Sequence, residues 1–96
     1  MTTADFLHEV RNVLQEVNQQ LDQRQVGIPG AGTIDELLCI QKELSNLEKL
    51  AASDALPPIG SRWIGSTRIV TDTWPLDNPL GGRICHLEDL YQRRLQ

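Results

Sequence analysis

Residues 26–32, Val26-Gly27-Ile28-Pro29-Gly30-Ala31-Gly32, place three glycines and a proline within seven positions, a run through which no regular helix continues. The segments on either side of it decide the fold. Before it, Phe6, Leu7, Val10, Val13, Leu14, Val17 and Leu21 recur at spacings of three and four, which puts them on one face of a helix over residues 3–23. After it, Leu37, Ile40, Leu44, Leu47 and Ala51 repeat like a coiled-coil seam over residues 33–52, widened by Ile34, Leu38 and Leu50. Two apolar stripes joined by a short turn predict an antiparallel helical hairpin.

The helix starts carry their own signals. Thr2 or Thr3 can cap the first helix, with Asp5 in the first turn where a negative charge suits the helix dipole. Thr33, followed three residues later by Glu36, completes a capping box for the second. At about 1.5 Å per residue the first helix is about 30 Å long, enough to act as the scaffold. Its far face, Arg11, Gln15, Asn18, Gln19 and Asp22, reads as solvated surface. A glycine-rich loop ahead of a helix can also cradle phosphate. Here the lysine of a P-loop is missing and an amphipathic helix stands where a buried strand belongs, so a helix–helix turn is the better reading.

Pro57-Pro58 stops the second helix, because proline restricts the residue before it and lacks a backbone donor. Residues 59–74 are ambiguous. Ile69-Val70-Thr71 and Thr73 favour a strand, whereas Ile59, Trp63 and Val70 could share a helix face. A lone strand has no partner within the chain, so a short helix or an extended packed segment is favoured; a strand would pair with another copy or another protein. Leu76-Asp77-Asn78-Pro79-Leu80-Gly81-Gly82 reads as a turn-rich connection, and Arg83 to Arg94 as a last helix with Ile84, Leu87, Leu90 and Tyr91 buried. The expected fold is all-α, one small bundle spanning residues 1–96.

With 96 residues, 40% of them hydrophobic and 23% charged, the chain suits one folded domain. Only Phe6, Trp63, Trp74 and Tyr91 are aromatic, so Leu, Ile and Val must fill the core. The net charge of −4 is uneven: residues 1–56 hold nine acids against four bases, and residues 57–96 hold four acids against five bases. Nucleic-acid binders present a clustered basic face, so an acidic half argues against DNA or RNA and towards a partner protein with a basic surface. The same acidity also serves solubility. Cys39 and Cys85 fall inside helical patterns, far apart and with no cleavable signal ahead of them, which predicts buried, inert thiols and a cytoplasmic location. No apolar run reaches the roughly 20 residues of a membrane span.

Chemistry is hard to assemble from this inventory. His8 and His86 are the only histidines, and a zinc site drawing on them with Cys39 and Cys85 has no local ligand spacing. Asp72 and Asp77 flank Trp74 as a conceivable acid–base pair, but both sit beside turn-forming residues, where aspartates bond to nearby amides. No catalytic residue, cofactor or metal is expected.

Binding is the remaining class. Trp63 and Trp74 lie in the least regular stretch, accompanied by Arg62, Arg68, Asp72 and Asp77, and Trp and Arg dominate binding energy at interfaces. At least one indole is expected to close the open end of the hairpin. Trp63, Arg68, Asp72, Trp74 and Asp77, together with the acidic Asp35, Glu36 and Glu43 of the second helix, form the candidate docking set. The expected function is a small acidic protein that neutralises or regulates a partner protein, of the type represented by bacterial immunity proteins and antitoxins. The alternative is a self-associating structural or phage-type accessory protein, a homodimer in which the two helix stripes pair between chains.

Overall fold

The computed structural model describes residues 1–95, and within them it is all-helical, with four α-helices and no strand. Helix α1 spans Thr3–Gln25, α2 Ile34–Ala52, α3 Ser66–Thr73 and α4 Pro79–Asp89; a short π-helical turn, Leu90–Arg94, continues α4. The hairpin of α1 and α2 is the frame. Helix α4 packs on α1, and α3 bridges α4 and α2. The body is elongated, 40 × 23 × 17 Å, with the α1–α2 turn at one end.

Both long helices begin as their capping signals require. Thr2 is the residue that caps α1: its hydroxyl accepts the Asp5 amide at 3.1 Å, and Asp5 accepts the Thr2 amide in return. The Thr33 hydroxyl accepts the Glu36 amide at 3.1 Å, and Glu36 accepts the Thr33 amide at 3.0 Å. Each box satisfies two backbone donors that a helix start otherwise leaves open. The core is the two predicted stripes, Phe6, Val10, Val13, Val17 and Leu21 against Leu37, Ile40, Leu44, Leu47 and Ala51. Each fully buried aliphatic side chain contributes roughly 1.5–3 kcal/mol by leaving water. These stripes are used within the chain.

The last helix departs from the sequence reading. It starts at Pro79 rather than Arg83, because the Asn78 side chain accepts the Gly81 amide at 2.9 Å and Pro79 occupies the first turn, where its missing donor costs nothing. Gly81 and Gly82 therefore lie inside a helix. A Cβ at Gly81 would stand 2.8 Å from Val70 Cγ1, so the glycine lets α4 approach α3 closely. At the other end the Leu95 amide bonds to the Leu90 carbonyl at 2.9 Å, and the wider π turn brings both Tyr91 and Leu95 into the core. Tyr91 stacks on Phe6 with centroids 5.2 Å apart, and burial pushes its hydroxyl pKa up, against the opposing effect of Arg62.

The ambiguous segment resolves into an irregular stretch over residues 59–65 followed by α3. The thiols also differ from expectation. Cys39 is exposed, since it falls between the buried positions 37 and 40 and faces away from the core. Cys85 is half-buried, and desolvation, with the nearby Glu88 carboxylate, raises its pKa. No helix among the described residues is long and apolar enough to cross a membrane.

Candidate functional site

Six of the eight candidate residues separate into two groups at different places on the bundle, and the other two, Arg68 and Asp72, pair with each other on α3. Trp74 closes the α1–α2 turn: it is 6% exposed, and its ring edge lies where a Cβ on Gly32 would be, 2.6 Å from Cζ2. Its indole nitrogen donates to Glu36 at 3.4 Å, and the Thr73 hydroxyl donates to the same carboxylate at 2.8 Å. Glu36 thus joins the start of α2 to the end of α3. Its pKa is lowered, chiefly by the bond from the Thr33 amide and further by Thr73 and Trp74, against a smaller opposing effect of burial. Asp35 and Asp77 lie at this same end and are exposed.

The turn itself is held rigidly. Gly27 and Gly32 take positive φ values, +87° and +86°, which an L side chain resists. The Arg24 guanidinium donates to the carbonyls of Ile28, Ala31 and Gly32 and to the Gln20 side chain at 2.8–3.2 Å. A charged group is therefore spent on satisfying loop carbonyls. Around this tip Val26, Ile28, Ile34 and Leu76 face solvent, Leu76 at 96% exposure. Asp22, Asp35 and Asp77 are exposed beside them, with no side-chain hydrogen bond or ion pair among the described residues. The tip is thus an apolar surface studded with available carboxylates.

Trp63 belongs to the other group. It is 67% exposed and is not the lid. The backbone on both sides of it is fixed. Arg62 donates to the carbonyls of Pro57 at 2.7 Å and Leu95 at 3.0 Å and lies 5.6 Å over the Tyr91 ring. On the other side Glu88 accepts the Ile64 amide, and Glu43 accepts the amides of Gly65 at 2.8 Å and Ser66 at 2.7 Å, together with the Ser66 hydroxyl. Glu43 is therefore a clamp on the start of α3, which has no side-chain cap of its own. An open groove of about 600 Å³ runs along the outer face of α2, lined by Cys39, Lys42, Glu43, Ser45, Asn46 and Lys49 of that helix. A smaller hollow shared by Glu43, Asn46, Leu50, Trp63 and Tyr91 continues it.

Arg68 and Asp72 form an exposed i,i+4 ion pair at 3.5 Å on α3, the kind of contact that adds less than about 1 kcal/mol. Asp72 is thus paired with a side chain on its own helix, away from the turn amides expected of it, and Asp77 has no amide bond. Among the described residues no three of His, Cys, Asp and Glu are placed to hold a metal ion. The sequence reading did not single out Val26, Ile28 and Leu76 as binding residues. The available signal was an aliphatic side chain inside a Gly- or Pro-rich turn, where no helix face can bury it. Arg24, Arg62 and Glu88 had no such signal, because each acts through a contact the fold creates.

No family model, curated protein or solved structure matches this chain.

Proposed function

We propose that this chain is a protein-binding domain that neutralises or regulates a partner protein, in the manner of immunity proteins and antitoxins, by docking its turn end on a basic, partly apolar surface. The reading rests on one observation: Asp22, Asp35 and Asp77 stand free around the exposed Val26, Ile28, Ile34 and Leu76, beside a loop whose carbonyls Arg24 holds. Apolar side chains supply desolvation energy, the carboxylates supply steering and register, and a rigid loop loses little entropy on docking. A cytoplasmic location agrees with two free thiols, one of them exposed.

The test is capture from the source cells with the tagged chain and with a double variant, Asp35→Lys with Asp77→Lys. A stoichiometric partner that is recovered by the wild type, lost by the variant and released by salt supports the reading. Equal recovery by both chains, or no partner at native concentration, removes it.

A further inference from the structure

We propose that the groove along the outer face of α2 receives the acidic tip of a second copy of this chain, so that copies associate tip to flank. Isologous pairing through the helix stripes has little surface left, since their central residues are buried against each other and of the widening positions only Ile34 and Leu38 are exposed. The groove offers a different one. Lys42 and Lys49 lie seven residues apart on the same face of α2, about 10 Å along its axis. Both are exposed and neither has a carboxylate partner among the described residues. The one acid in the groove, Glu43, has both oxygens occupied by Gly65 and Ser66. Two ammonium groups against that one hydrogen-bonded carboxylate leave the groove net positive.

Trp63, 67% exposed, lines the smaller hollow that shares Glu43 and Asn46 with this groove. Trp63 is presented by a backbone fixed on both sides, the arrangement in which an aromatic anchor contributes most. The occupant must bring carboxylates beside aliphatic side chains on a projecting shape. The tip of this chain has that chemistry, with Asp35 and Asp77 next to Ile28 and Leu76 at the end of a 40 Å body. Asp35 continues the Lys42–Lys49 face of α2 by one step of seven towards the helix start, while Ile28, Leu76 and Asp77 lie on other segments, so the tip adjoins the groove without sharing a residue with it and each copy can offer both. Such a contact is heterologous and builds rings or open chains, not a two-fold dimer.

The inference rests on the tip being a docking surface, as in the function proposed above, and the two can fail separately. Sedimentation velocity on the purified full chain should show average mass rising with concentration and falling with added salt. The tip variant, Asp35→Lys with Asp77→Lys, and a groove variant, Lys42→Glu with Lys49→Glu, should each weaken association by about tenfold or more, to monomer over most of the range. Mixing the two should restore association, because each supplies the surface the other has lost. Trp63→Ala should weaken it with no change in helix content. A monomer at every concentration, or a dimer that persists in either variant, overturns the proposal. If the wild type is monomeric while partner capture still depends on Asp35 and Asp77, the inference falls alone; if capture ignores those residues, the functional reading falls.

Discussion

The Glu43 carboxylate on α2 encloses the backbone at Ser66, accepting the Ser66 amide at 2.7 Å on one oxygen and the Gly65 amide at 2.8 Å on the other. A residue with the sequence character of an exposed acidic helix position thus acts as the N-terminal cap of a helix 22 to 23 residues away. Ser66 is 2% exposed, so losing the acceptor leaves a buried amide and hydroxyl without partners. Glu43→Ala should destabilise the fold by about 2 kcal/mol, and Glu43→Gln by less, since an amide oxygen still accepts one bond. Urea unfolding with unchanged slope measures both.

Glu36 makes folding pH-dependent. Its folded pKa lies below the usual glutamate value, chiefly through the Thr33 amide, so the ionised carboxylate stabilises the fold above the unfolded-state pKa. That contribution is lost as pH falls through the folded value. The stability difference between wild type and Glu36→Gln should therefore be largest near neutral pH and shrink on acidification through the carboxylate range. Unfolding midpoints measured from pH 7 downwards give the curve; a constant difference would remove this role.

Gly27 and Gly32 share a positive φ but not their surroundings. Around Gly27 the space is open, whereas a Cβ on Gly32 meets the Trp74 ring at 2.6 Å. Gly27→Ala should cost about 1 kcal/mol, the backbone penalty alone. Gly32→Ala should cost about 2–3 kcal/mol, because Trp74 must also shift. Thermal unfolding of the two variants isolates the packing contribution as their difference.

The two tryptophans should behave as opposites. Trp74→Ala removes a buried lid and should cost about 3–5 kcal/mol, while Trp63→Ala should stay within about 0.5 kcal/mol of wild type. Fluorescence gives an independent reading. With Trp63 removed, the native emission should be blue-shifted and poorly quenched by acrylamide; with Trp74 removed and the fold retained, it should be red-shifted and readily quenched.

Cys39 and Cys85 should also separate. The exposed Cys39 should react quickly with a thiol reagent in the native state, and Cys85, half-buried with its pKa raised, should react slowly until the protein unfolds. Equal native rates would contradict the burial of Cys85.

The amino-acid order determined by itself those features that act over three or four residues. The stripes of α1 and α2, both capping boxes and the break at residues 26–32 were legible because helix periodicity and cap bonding are local. The same reading missed the true start of α4 at Pro79, since a Gly81-Gly82 pair argues against a helix until Val70 is found packed where a Cβ would stand. That one indole would close the hairpin was legible; which one was not. Trp74 is buried and Trp63 exposed because the chain lays Trp74 over Gly32, while Arg62, Glu88 and Glu43 fix the backbone that holds Trp63 out. Tertiary structure likewise assigned the carboxylates, drawing Glu36 and Glu43 into bonds with distant segments and leaving Asp22, Asp35 and Asp77 at the tip. A charge is visible in a sequence, but whether it is free to meet a partner depends on which backbone donors the fold brings beside it.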